Sequence, residues 1–242
     1  MGAAIILGAG DGLGGAVAER FAAGGLHAVL VRRDLAKAEE AAARLAEAGG
    51  RASASDADVR DPDQMEDLFD ETEARVGPVE VCVFNTGANV QKPLLETSPR
   101  LFRQVWELAC FGGFLAAREC ARVMGPRGRG TLIFTSATSG LYGRTGFAAF
   151  ASAKFGLRAV AQASARELGP QGVHVAHVIV DCAIRTEAIR RRFAARDLDL
   201  DHLPEDSLAR PESIAEQYWM LSRQPRDAWT HELDLRPFAE PW

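Results

Sequence analysis

Seven short runs of apolar and β-branched residues punctuate the chain, and between them lie longer stretches of helical period. The runs predict strands over Ala3–Leu7, Ala28–Val31, Arg51–Ser55, Val79–Phe84, Thr131–Thr135, Val173–Val180 and Trp229–Leu235. The stretches predict helices near 13–24, 34–48, 62–76, 99–124, 147–169 and 211–223. Strand–helix alternation of this kind demands crossovers, hence a parallel sheet covered by helices on both faces. The first and fourth runs are almost wholly apolar, as strands buried on two faces require. Helix boundaries carry their own signals: Asp34 precedes an Ala/Glu/Arg run closed by Gly49-Gly50, and Asp61-Pro62 combines a cap with a first-turn proline. The segment from Arg185 to Arg210 is charged, contains Pro204 and breaks the rhythm, so it is expected to be a mobile excursion that closes over a ligand.

At 242 residues the chain fits one α/β domain spanning 1–242. Its 28 basic against 33 acidic residues, a net charge of −5, oppose a nucleic-acid coat, so no nucleic acid is expected as partner. No apolar run reaches the roughly 20 residues of a membrane span, and Met1–Gly10 lacks the basic start of a signal peptide. Cys82, Cys110, Cys120 and Cys182 show no paired spacing, which points to reduced thiols, a cytoplasmic location and no metal site.

Directly after the first predicted strand comes Gly8-Ala-Gly-Asp-Gly12-Leu13-Gly14-Gly15, followed by the predicted helix. Glycines there admit positive φ and let the backbone approach a pyrophosphate, which then meets free N–H groups at a helix N-terminus. The second strand ends in Arg32-Arg33, where a carboxylate would serve an adenosine ribose 2′-hydroxyl. Two guanidinium groups suit a 2′-phosphate, so NADP(H) is expected in preference to NAD(H), with nearby Asp11 opposing that preference.

The Gly8-x-x-x-Gly12-x-Gly14 spacing resembles the fingerprint of the short-chain dehydrogenase/reductase family, and further matches follow in order along nearly the whole chain. Asp58-Val59 resembles the Asp-Val that holds adenine, and Asn85-Thr86-Gly87 resembles the Asn-Ala-Gly after the fourth strand. Phe150-Ala-Ser-Ala-Lys154 stands where the family has Tyr-x-x-x-Lys. Asp181-Cys182-Ala183-Ile184-Arg185-Thr186 stands where Pro-Gly-x-x-x-Thr reaches the nicotinamide. The resemblance implies a single-domain Rossmann fold with a doubly wound seven-stranded parallel sheet and a nicotinamide cofactor at the strands' C-terminal edge. It also implies a small-molecule substrate and a homodimer or homotetramer.

The departures fall on the catalytic positions. The family uses a tyrosine as proton donor or acceptor, a lysine that lowers its pKa, a serine that steadies the substrate oxygen and an asparagine that positions the lysine's water. Phe150 takes the tyrosine position, Ala137 the serine position and Cys110 the asparagine position, leaving Lys154 as the one match. The Phe-x-x-x-Lys pattern resembles an atypical subgroup of the family. Ser136 and Ser139 flank Ala137, but a neighbour on a strand end faces away. Tyr142 is the other tyrosine near the expected pocket, either a wall of the substrate cleft or a replacement acid, with Arg144 beside it. His174 and His177 read as structural, and Arg190–Arg192 as the wet face of a lid helix. These residues imply an oxidoreductase with a degenerate proton-relay site. The rival is a non-redox cofactor-binding protein, whether sensor, scaffold, isomerase or cyclase.

Overall fold

The computed structural model describes residues 2–195, 202–204 and 206–239. Seven strands form one sheet in the order β3-β2-β1-β4-β5-β6-β7, with every neighbouring pair parallel. They are β1 Ala3–Leu7, β2 His27–Val31, β3 Arg51–Ser55, β4 Val79–Phe84, β5 Gly130–Ala137, β6 Val173–Val180 and β7 Glu232–Leu235. Because side chains alternate across a strand, β1 sends Ile5 and Leu7 to one face and Ala4 and Ile6 to the other. Both faces are covered. On the first lie α3 (Pro62–Arg75), α5 (Gly112–Met124) and α6 (Ala148–Leu168); on the second lie α1 (Leu13–Ala23), α2 (Leu35–Glu47) and α8 (Pro211–Ser222). Fully buried Phe69 and Phe84 anchor the first core and Phe21 and Tyr218 the second. Each apolar side chain of that size stabilises the fold by about 1.5–3 kcal/mol.

Helix starts follow the sequence signals. Asp34 accepts from the Lys37 N–H, and Asp61 accepts from the N–H groups of Asp63 and Gln64 ahead of Pro62. Ser98 caps α4 (Pro99–Trp106) in the same way. Such caps contribute about 1 kcal/mol each.

Three expectations are corrected. The helix expected over 99–124 is interrupted by a π-turn at Glu107–Phe111, where the Gly112 N–H bonds back five residues to Glu107. The last strand begins at Glu232 and not at Trp229, whose indole instead stacks on His174 with ring centroids 5.0 Å apart. The segment 185–210 is not irregular throughout: Thr186 caps a helix, α7 (Glu187–Ala194), and Ile184 bridges to Ala209. Residues 196–201 and 205 of that expected lid lie outside the described residues.

The strand order reverses direction between β1 and β4. A crevice opens there, at the C-terminal ends of these strands, and the residues singled out by the sequence converge on it.

Candidate active site

The turn after β1 is built for close backbone approach. Gly8 has φ +91°, and a methyl group on it would lie 3.0 Å from the Asn85 carbonyl oxygen and the Thr86 methyl. On Gly14, a methyl would lie 2.2 Å from the Gly8 carbonyl oxygen, so α1 can pack against the turn only through a glycine. Gly12 faces Thr186, whose methyl carbon would be 2.8 Å from an added Cβ. The Asn85 amide donates to the Gly8 carbonyl at 3.1 Å, tying the end of β4 to the turn. Gly12 precedes Leu13 at the start of α1 and has no side chain to cap it. First-turn N–H groups and the helix dipole thus favour an anion at this point.

From this turn a cleft of about 260 Å³ runs past Arg32, Arg33, Asp58 and Val59 to Gly87. Arg32 is not free in it: its guanidinium donates to Asp11 at 2.8 Å. That bond, opposed by partial burial, holds the Asp11 carboxyl below its ordinary pKa. Arg33 is exposed at the rim. Asp58 is gripped by Arg60, whose Nε and Nη2 donate at 2.9 and 2.5 Å, and its carboxyl is likewise held below the usual value. Val59 is buried beneath it.

At the other end of the crevice, Phe150 and Lys154 share one face of α6, four residues apart. A methyl on Gly87 would meet both, 3.4 Å from Lys154 Nζ and 3.8 Å from the Phe150 ring. Lys154 is 4% exposed; its ammonium donates to the carbonyls of Thr135 at 2.8 Å and Thr86 at 3.4 Å, and lies 5.9 Å from the Phe150 centroid. Burial brings its pKa down to about 8. Cys110 sits in the π-turn, packed where a Cβ on Gly156 would fall 2.6 Å from its sulfur, and burial pushes its thiol up. Cys110 and Phe150 belong to one apolar cluster, against which Ala137 packs from the end of β5. The structure therefore brings Phe150, Ala137, Cys110 and Lys154 together. Ser136 does not substitute for Ala137: its hydroxyl is buried and unpartnered, under Gly140.

One polar group here is not recoverable from the sequence. Asp181, 5% exposed at the end of β6, accepts from the Thr138 hydroxyl and pairs with Arg236 at 2.7 Å. Arg236 lies 55 positions away, and only the β6–β7 pairing brings it to Asp181. Tyr142 is exposed nearby, and its oxygen accepts from Arg144 at 2.6 Å. The Thr186 hydroxyl accepts from the Ile189 N–H as the cap of α7, so α7 starts against the glycine turn. Cys182, beside Asp181, is half-buried. His174 is structural, its ring nitrogens facing the carbonyls of Leu221 and Thr230. His177 bonds Glu232 through Nδ1, and burial lowers its pKa to about 4.

Comparison with known proteins identifies the family and the fold. The model of a family described as short chain dehydrogenase matches residues 2–196. The chain is 31% identical over 227 residues to the cis-4-hydroxycyclohexanecarboxylate dehydrogenase of Sinomonas cyclohexanicum, covering 90% of this chain and 88% of that one. Among solved structures, a short-chain dehydrogenase from Rhodopseudomonas palustris superposes with TM-score 0.83 at 42% identity, covering 98% and 99% of the two chains. A metagenomic short-chain oxidoreductase in complex with NADP has the same fold, with TM-score 0.82 at 24% identity over 98% and 97% of the chains.

Proposed function

The chain belongs to the short chain dehydrogenase family, and from that premise we propose that it is an NADP(H)-dependent oxidoreductase whose usual proton relay is dismantled. The observation that carries this reading is the pairing of an intact glycine cradle with Phe150 and Ala137 at the catalytic positions. Gly8, Gly12 and Gly14 leave room that a side chain would fill, and the uncapped α1 N-terminus suits a pyrophosphate. Arg32 and Arg33 would hold a 2′-phosphate, Asp58 and Val59 the adenine, and Asn85 and Gly87 the central part of the dinucleotide. Lys154 would hold the nicotinamide ribose, while Ile184 and Thr186 would approach the carboxamide. The nicotinamide supplies a hydride when bound.

The chain's own residues then set what is possible. Phe150 walls the pocket and excludes water but has no proton to give. Ala137 offers no hydrogen bond to a substrate oxygen. A missing positioned acid costs about 10²–10⁴ in rate and a missing oxyanion donor about 10²–10³, and such losses need not multiply. The accompanying proton must therefore come from water, from the substrate or from Lys154, whose depressed pKa eases proton release near neutrality. The segment 185–210 would act as the substrate lid, with α7 hinged against the glycine turn. A cytoplasmic homodimer or homotetramer completes the proposal.

One observation favours the second reading, a non-redox cofactor-binding role. The Lys154 ammonium is occupied by two backbone carbonyls and has little freedom to reach a substrate. Steady-state NADPH oxidation against a panel of small ketones, aldehydes and cyclic imines separates the two. Turnover of any class supports the redox reading; NADPH binding with no consumption across the panel rejects it in favour of the second.

A further inference from the structure

We propose that Thr86 is the residue that positions Lys154 in this chain, taking over where Cys110 has replaced the family's asparagine. Thr86 follows β4 and touches three parts of the site at once. Its methyl packs on the phosphate turn, 3.0 Å from where a Cβ on Gly8 would stand. Its hydroxyl donates to the Leu108 carbonyl at 3.3 Å, inside the π-turn. Its own carbonyl accepts from Lys154 Nζ at 3.4 Å. A π-turn shifts the register of its carbonyls, and the Thr86 hydroxyl supplies a donor where that register changes.

The middle residue of the Asn-Ala-Gly motif that this segment resembles carries no hydroxyl, so the threonine is a departure that accompanies the loss of the asparagine. Cys110 cannot do the same work. Its thiol is a weak hydrogen-bonding group and packs against Gly156. With Thr86 held by its hydroxyl, its carbonyl is kept in place under the ammonium. Lys154 thereby keeps two fixed acceptors, from the segment after β4 and from β5, and its third N–H is left to face the crevice beside Gly87. Thr86 acts through Lys154 and is a positioning residue.

The inference rests on Lys154 meeting the cofactor, and its test is chosen to keep the two apart. NADPH binding is followed by protein fluorescence from about pH 6 to about pH 10 for the wild type, Thr86→Ser and Thr86→Val, alongside thermal unfolding. In the wild type, affinity falls as Lys154 loses its proton; Lys154→Met removes that step. Thr86→Ser keeps the wild-type midpoint. In Thr86→Val the loosened carbonyl stabilises the ammonium less, so the midpoint moves to lower pH by about one unit, a tenfold change in the protonation constant. An unmoved midpoint in Thr86→Val, whatever its melting temperature, overturns the proposal, as does a serine variant that shifts equally. Should the valine variant fail to fold, Thr86→Ala reads the same midpoint. Wild-type binding without any pH step overturns the Lys154 reading itself, and the role of Thr86 with it.

Discussion

Replacing Gly14 with alanine sets a favourable local term against a severe steric one. In a helix interior alanine is favoured over glycine by about 1 kcal/mol. Here the new methyl would stand 2.2 Å from the Gly8 carbonyl oxygen and 2.8 Å from the Ala9 Cα, both backbone atoms that no rotamer change can move. Relief requires α1 to shift off the turn, yet its Val17, Ala18 and Phe21 are fully buried against the sheet. Overpacking of this kind costs about 1–3 kcal/mol net. At about 2–4 °C per kcal/mol for a chain of this size, the melting temperature falls by roughly 2–12 °C. NADPH affinity falls with it, because the same shift displaces the N–H groups at the start of α1. Gly10→Ala is the control, since a methyl there meets nothing within 4 Å. Gly12→Ala falls between, its methyl meeting only the Thr186 side chain at 2.8 Å. Thermal unfolding and NADPH fluorescence titration of the three variants give the ranking. Equal melting temperature and equal affinity for Gly14→Ala and wild type would refute the steric argument.

Three further outcomes are expected. The double substitution Phe150→Tyr with Ala137→Ser restores a donor and an oxyanion partner, so kcat/KM for simple ketones rises at least about 10²-fold while NADPH affinity stays level; an unchanged rate would show that the substrate cleft has been remodelled as well. Asp11→Asn releases Arg32 from its 2.8 Å ion pair and raises the NADPH-to-NADH affinity ratio by about tenfold, a change of about 1.4 kcal/mol measurable by calorimetry. His177 is one pH-sensitive element of the fold. Its pKa is depressed to about 4 by burial, below about 6.5 for the unfolded chain, so the unfolded state binds the extra proton first. Stability is therefore full above about pH 6.5 and declines toward pH 4, by an amount of order 3 kcal/mol; denaturant titrations of His177→Gln should show a flatter profile over that window.

Much of the fold can be read in the sequence because its signals are local. The apolar runs of β1 and β4, the caps at Asp34 and Asp61 and the glycine spacing after β1 each depend on a few neighbouring residues. The π-turn cannot be read this way: Trp106–Phe111 has unbroken helical composition, and Cys110 within the turn packs against Gly156 from a distant helix. The late start of β7 is likewise hidden, since Trp229 stacks on a histidine from β6. In the site, the family resemblance pointed to Phe150, Lys154 and Ala137, and helix period alone puts the first two on one face of α6. Pairings between distant segments were mostly hidden, although Asp11 was placed near Arg32 and only their direct bond was not. The Asp11–Arg32 bond and the Asp181–Thr138–Arg236 group join residues that only the sheet order makes neighbours.

On the proposed reading, a phosphorylated nicotinamide dinucleotide is held between the glycine turn and Lys154 with Phe150 at the tyrosine position. Isothermal titration of the purified protein with NADPH and with NADH tests it most directly. NADPH is expected to bind saturably at one site, with affinity lowered by Gly14→Ala and by Lys154→Met. Absence of heat with both nucleotides at about millimolar concentration, equivalent to less than about 4 kcal/mol of binding free energy, would contradict it.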